Sequence, residues 1–312
     1  MPEPFATGLL DLSGGHAIHW EITGHPHGKP ALFLHGGPGA PPRSNGYRRL
    51  FDLSRYRVVS IDQRGCGRSR PLVIDALDRL HENTTEALIA DIEAVRRHLG
   101  VSRWLVVGVS WGTTLALAYA QACPEAVAAL VLGAVTTTSR EEVAWITEGV
   151  GSIFPEAWDR FAAESGRRDG ERILDAYARR LSTGRPGDRA QAALAWCAWE
   201  DTHVSLGPDF APLSFPDPEA ARVFATLVTH YWSNDGFLRG GDAILARMHR
   251  IRDVPGVLVH GRRDISSPAR IAWLLSRAWP ASRLHIVETE GHGGPEITAH
   301  LQRATAGFAS QA

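Results

Sequence analysis

A chain of 312 residues, 44% of them hydrophobic and 21% charged, has ordinary globular composition, and its length allows about two domains or one domain with a large insertion. Lysine and arginine total 33 against 34 acids, so the chain offers no field to draw in nucleic acid or an anionic membrane surface. Its longest apolar stretch, AVAALVLGAV at 126–135, is too short to span a bilayer, and the start MPEPFATGLL lacks the basic and apolar regions of a secretory leader. Three widely spaced cysteines (Cys66, Cys123, Cys197), with no C-x-x-C pair, are expected as thiols rather than disulfide partners, in a cytoplasmic protein.

In chain order, residues 8–23 (GLLDLSGGHAIHWEIT) predict a hairpin of two strands around an SGG turn. The runs at 31–37 (ALFLHGG) and 56–62 (YRVVSID) are short, apolar and end in glycine or polar residues, as buried parallel strands do. Residues 83–100 place Leu88, Ile89, Ile92, Val95 and Leu99 at helical spacing, with Gly100 to stop the helix. WLVVGVS (104–110), ALVLGAV (129–135), GVLVHG (256–261) and RLHIVE (283–288) repeat the strand signature with helical segments between them. Such alternation predicts a mostly parallel, doubly wound α/β sheet with helices on both faces.

The alternation breaks between about residues 137 and 247. That stretch has no good buried strand and carries five of the ten tryptophans (Trp145, Trp158, Trp196, Trp199, Trp232). It is expected to be a helical cap over one end of the sheet, leaving 1–136 and 248–312 as the core. STGRPGDR (182–189) is expected to be an exposed linker within it.

GVSWG at 108–112 lies where a strand pattern gives way to a helix pattern. A serine on that sharp turn, with glycines on either side to let backbones cross closely, is a nucleophile elbow. A serine hydroxyl needs a base to take its proton and a third group to orient that base. With Ser110 as nucleophile, acid and base should follow in that order at later strand ends. His292, in the glycine-bounded loop ETEGHGG, is the expected base, because His285 lies within a strand pattern and His300 in the terminal helix. Asp264, one short turn past GVLVHG, is the expected acid; Asp253 precedes that strand, and Glu141 and Glu142 are the runner-up location. Two backbone N–H groups should hold an oxyanion, one from Trp111 and one from HGGPG (35–39), with Gly37 chosen and Gly36 as the alternative. His35, Asp62 and Arg64 are expected to brace that loop. No ligand cluster has metal spacing, so no metal is expected.

These residues lie in motifs that resemble the proline iminopeptidases, the prolyl aminopeptidase family of α/β-hydrolases. The resemblance runs through HGGPG (35–39), DQRGCGRS (62–69), NTT (83–85), DIE (91–93), GVSWGTTLALAYA (108–120), GRRD (261–264) and EGHG (290–293), and so covers the whole core. It implies an α/β-hydrolase fold, a Ser110/Asp264/His292 triad, no metal or organic cofactor, and a small peptide or amino-acid amide as substrate. WCAWE (196–200) is similar to the family's W-x-x-W-E, which implies that Glu200 receives the substrate's free α-amino group; Trp199 beside it would offer an aromatic face to the cation. One departure is LVTHYW (227–232), where Val228 stands at a position the family often fills with a second glutamate, and Asp201 is a candidate to complete the site. The same triad could serve an esterase, lactonase or amidase acting on a small metabolite. Dehalogenase or epoxide hydrolase chemistry would require aspartate at 110, and a silent binding module would be expected to lack a triad member.

Overall fold

The computed structural model describes residues 2–40, 45–204 and 217–310. Eight strands make one sheet: β1 (Ala6–Asp11), β2 (Ala17–Gly24), β3 (Lys29–Leu34), β4 (Tyr56–Ile61), β5 (Trp104–Val109), β6 (Val127–Gly133), β7 (Gly256–Gly261) and β8 (Ser282–Val287). Their spatial order is β1-β2-β4-β3-β5-β6-β7-β8. The β1–β2 hairpin is antiparallel, β2 joins β4 antiparallel, and every later pairing is parallel.

Residues alternate along each central strand between two apolar layers. Trp104 and Val106 of β5 join the layer under helices α1 (Thr85–His98) and α2 (Trp111–Ala122), whereas Leu105 and Val107 join the layer under the terminal helix, Pro295–Ala309. Both faces are therefore dry, which is why these strands read as continuous apolar runs rather than alternating ones. The α1 helix forms where its sequence pattern predicts. Thr84 caps its first turn by accepting from Ala87 N, and Leu88, Ile92 and Val95 turn inward. Full burial of each such side chain stabilises by about 1.5–3 kcal/mol.

Between β6 and β7 the described residues make five α-helices: α3 (Arg140–Thr147), α4 (Pro155–Ser165), α5 (Ile173–Thr183), α6 (Pro186–Val204) and α7 (Pro218–Ser233). Helices α4 to α7 pack chiefly on one another. Phe161 stacks on Tyr177 and on Trp199, with ring centroids 4.7 and 5.0 Å apart, and Trp196 meets both Phe161 and Tyr177 edge-on. The aromatic richness of this stretch is thus its own core. Helices α8 (Arg270–Ala278) and α9 (Pro295–Ala309) complete the chain.

Two sequence expectations are corrected. STGRPGDR is exposed in part but is no linker: Ser182 and Thr183 close α5, and α6 begins at Pro186. Proline and glycine there mark a helix start, where the missing proline N–H costs nothing. The boundary expected at 247 falls inside a run of tight helical turns, Ile244–Ile251, whose buried Ile244, Met248 and Ile251 face the sheet layers; Gln121 of α2 donates to Ile244 O at 2.8 Å. The stretch before 247 therefore already packs on the core, at Ile244 and at Gly236, whose carbonyl accepts from Thr85 at 2.6 Å. Among the described residues, no helix is long and apolar enough to cross a membrane.

Candidate active site

The parallel register sets the site's position. Leu34 pairs with Gly108, Gly108 with Leu132, Val109 with Gly133, and Gly133 with Val259, so the first residue past β5 stands at the carboxyl edge of the sheet. That residue is Ser110. Its backbone is at φ 57° and ψ −129°, a region an L-residue enters only under constraint. The constraint comes from both sides: Ser110 N donates to Gly133 O at 3.0 Å and Thr113 N to Ser110 O at 2.7 Å. The flanking glycines have specific reasons. A Cβ on Gly108 would run into the Gly112 carbonyl, and one on Gly112 into the Leu34 carbonyl. The turn is this sharp only because helix and strand backbones touch there.

His292 arrives on the loop after β8 and Asp264 on the loop after β7. His292 Nε2 lies 3.0 Å from Ser110 Oγ, and Nδ1 lies 2.8 Å from Asp264 Oδ2. The other Asp264 oxygen accepts from Ser267 N at 3.0 Å. Behind it, His260 accepts from Val135 N at 3.0 Å through Nδ1 and donates to Ser267 O at 2.7 Å through Nε2, so that ring is neutral. Burial alone would raise the Asp264 pKa, but the charge and hydrogen bond of His292, then His260 and Ser267 N, outweigh it and hold the carboxyl below its ordinary value. Burial likewise pulls the His292 pKa down, while Asp264 and then Glu200 push it up, and the net is a raised pKa.

Above Ser110 lies the loop of HGGPG. His35 is buried and accepts from Gln63 N at 3.1 Å through Nε2, which leaves Nδ1 to donate to Gly36 O at 2.9 Å. Gln63 returns a bond to His35 O at 2.8 Å and accepts from the Trp111 indole at 2.9 Å. Gln63 therefore ties the loop to the residue that follows the serine. The bracing expected of Asp62 and Arg64 takes the form of ion pairs: Asp62 with Arg68 at 2.9 Å, and Arg64 with the buried Asp91 in a two-pronged contact at 2.6 and 2.9 Å. Gly36 packs closest to the serine, since a Cβ there would lie 3.2 Å from Ser110 Cβ.

These groups open into a cavity of about 370 Å³, lined among the described residues by Ser110, His292, Gly36, Gly37 and Trp111 on the sheet side. On the helical side it is lined by Val143, Ile146, Phe224 and Trp232, with Glu200 and His203 as polar groups. Glu200 is 5% exposed; its Oε1 accepts from the Trp196 indole at 3.2 Å. Burial raises its pKa to about 7 against the opposing pull of His292 and Trp196, with Asp201 adding to the rise. A cavity of this size, largely apolar and holding a few convergent polar groups, suits a small ligand.

Comparison with known proteins agrees with this geometry. Residues 29–296 match the alpha/beta hydrolase fold family. The chain is 46% identical over 295 residues to a probable proline iminopeptidase of Streptomyces coelicolor, covering 93% of this chain and 90% of the relative. It is 42% identical over 311 residues to the proline iminopeptidase of Xanthomonas citri, covering 98% and 97%. The chain belongs to the proline iminopeptidase family of α/β-hydrolases. Among solved structures, an esterase from Exiguobacterium antarcticum superposes with a TM-score of 0.63 at 18% identity, covering 98% of this chain and 100% of that one, which is a likeness of fold.

For a proline iminopeptidase family member, the expected residues fall as follows. Ser110, His292, Gly37, Trp111 and Glu200 line one cavity, and Asp264 stands behind His292, bonded to its Nδ1. Trp199 does not join them. Its indole donates to Ile146 O at 3.1 Å and its face covers Phe161, so it belongs to the helical core and the cavity's tryptophan is Trp232. Val228 is fully buried and is not among the cavity-lining residues, although Phe224 and Trp232, one helical turn to either side, are. Glu142 does reach the cavity but spends its carboxylate on five donors from Thr136, Thr137 and Ser139, and Glu141 pairs with Arg270 at the surface. Two residues escaped the sequence reading, Gln63 and His203. The first sits inside the DQRG motif, and the second lies three positions after Glu200 at helical spacing.

Proposed function

We propose that the protein is a serine aminopeptidase that releases N-terminal proline, or a small residue, from short peptides and amides through an acyl-enzyme on Ser110. The observation that carries this reading is one cavity lined by Ser110, by His292 with buried Asp264 bonded behind it, and by a buried carboxylate, Glu200. Neutral His292 takes the Ser110 proton through Nε2 while Asp264 holds Nδ1–H, and the alkoxide attacks the scissile carbonyl. The Trp111 and Gly37 N–H groups receive the oxyanion. His292, now protonated, gives its proton to the leaving amine, and a water activated by the same imidazole releases the acid.

Glu200 fixes which bond is cut. An ammonium entering an apolar cavity needs a carboxylate partner, and pairing there places the first residue's carbonyl at Ser110. Segment 137–247 acts as a cap that supplies this partner and the apolar wall of Val143, Ile146, Phe224 and Trp232 for the ring. Such an enzyme works on peptides already inside a reducing cytoplasm, the compartment its unpatterned cysteines suit. The test is a panel of aminoacyl-nitroanilides beside N-acetylated counterparts and an uncharged ester of similar size. The free prolyl substrate should be preferred, and Glu200→Gln should lower kcat/KM on it by on the order of 10²-fold while sparing the ester. A second reading, an esterase or amidase for an apolar metabolite, draws on that same apolar wall. Equal turnover of free and N-blocked substrates would select it.

A further inference from the structure

His203 is 2% exposed, lines the cavity and plays no part in the triad. One tautomer lets both of its contacts with Ser266 be hydrogen bonds at once. Ser266 Oγ donates its single proton to His203 O at 3.1 Å, so the 2.8 Å contact between Ser266 Oγ and His203 Nδ1 has the ring as donor. The Nε2 atom then carries a bare lone pair. It is buried, has no hydrogen-bond partner among the described residues, and faces Glu200 Oε2 at 3.8 Å. With Glu200 ionised, two acceptors oppose each other with no donor between them. An orphaned buried acceptor is destabilising, and it is kept where something supplies the missing donor.

We infer that His203 Nε2 is the second acceptor of the amine subsite, sharing one substrate ammonium with Glu200 Oε2. The inference rests on the aminopeptidase reading above. A nitrogen about 2.9 Å from each of two acceptors 3.8 Å apart makes two ordinary hydrogen bonds. An N-terminal proline is a secondary ammonium with two N–H bonds, and Glu200 and His203 between them take both. A neutral imidazole fits this role better than a second carboxylate would, because the pair carries one negative charge against one positive charge. His203 stays neutral in use: burial, with His292 nearby, holds its pKa down to about 3 despite the opposing charge of Asp264. The first helical turn after Glu200 thus sets selectivity for the amine, at a distance from the reacting carbonyl.

The experiment compares prolyl and N-methylprolyl nitroanilides, which carry the same charge but two and one N–H donors, together with an uncharged ester. In the unaltered protein the prolyl substrate should lead the N-methylprolyl one by at least about tenfold in kcat/KM, the scale of one hydrogen bond to a charged group. His203→Leu should bring that ratio close to one through a higher KM for the prolyl substrate, a loss at least several-fold larger than any change in ester turnover. His203→Gln, whose amide oxygen can accept, should restore part of the lead. Ester hydrolysis reports whether each variant is folded. A ratio near one in the unaltered protein overturns the inference without any variant. So does His203→Leu losing all three substrates equally, which would mark a structural role, or retaining the full prolyl lead. Loss of selectivity in Glu200→Gln together with its persistence in His203→Leu would keep the aminopeptidase reading and remove His203 from it. Equal turnover of free and N-acetylated substrates by the unaltered protein would remove both.

Discussion

In the proposed mechanism Ser110, His292 and Asp264 act as one unit, so replacing any of them should cost about as much as replacing all. Ser110→Ala, His292→Ala and Asp264→Asn are each expected to lower kcat by roughly 10⁴-fold. A finer expectation concerns pH. His292 must be neutral to take the Ser110 proton, and its pKa is raised in the folded protein, so kcat/KM on an uncharged ester should rise with pH through a midpoint above the ordinary histidine value of 6.5. Glu200 is one cause of that rise; hence Glu200→Gln should move the midpoint to lower pH, although residue 200 touches no reacting atom of the ester. An unmoved midpoint would mean that Glu200 and His292 do not sense each other's charge. The Ser110–His292–Asp264 cluster was legible in the sequence because each residue occupies the first loop beyond a strand signature, a position that chain order alone can locate. Trp199 was misplaced because adjacency in sequence is not adjacency on a helix. Residues 196, 200 and 203 share one side of α6, whereas a residue one step before Glu200 is turned by roughly 100°. The same spacing rule, applied forward from Glu200, was the available signal for His203.

At the scale of elements, the strand-to-helix turn is a packing problem solved by two absent side chains. Gly112→Ala would drive a Cβ into the Leu34 carbonyl of β3, an atom that cannot swing aside, so the β3–α2 contact must open. Overpacking of this kind typically costs about 1–3 kcal/mol, and any opening also displaces Ser110 from His292, so ester hydrolysis should fall more steeply than thermal stability. Gly307→Ala is the counterpart. Gly307 is exposed in α9 and a Cβ there meets nothing within 4 Å, so the helix should gain about 0.5–1 kcal/mol with activity unchanged. Unfolding midpoints and ester rates of the two variants, measured side by side, check both. The strands of the sheet were legible as elements because a strand buried on both faces leaves an uninterrupted apolar run. The α5–α6 junction was not, because proline and glycine punctuate a helix start and a linker alike. The Ile244–Ile251 turns also escaped, since their core contacts are made with α2, more than a hundred residues earlier in the chain.

Across the whole molecule, Ser110 and His292 are 182 residues apart in sequence and brought together at one end of the sheet, while Glu200, the proposed partner of the substrate amine, hangs from the helices inserted between β6 and β7. That arrangement sets function against stability, and pH reveals how strongly. Glu200 has an ordinary pKa near 4.5 in the unfolded chain and one of about 7 in the folded protein. A group whose pKa rises on folding contributes fully below its unfolded value and loses that contribution as pH climbs through its folded value. Ionised Glu200 therefore weighs against the fold above about pH 7, by an amount on the order of 3 kcal/mol at the plateau. Glu200→Gln keeps an oxygen for the Trp196 indole and removes the titration. The variant should unfold at a temperature several degrees above the unaltered protein at pH 8.5, and the gap should shrink as pH falls toward 4.5. Histidines with lowered pKa values that do not face Glu200, His35 and His260 among them, destabilise both proteins alike as pH drops below 6.5, so they cancel in the difference. A gap that stays constant from pH 4.5 to 8.5 would show that Glu200 titrates normally, and the apolar cavity would then not be what makes it wait for an ammonium.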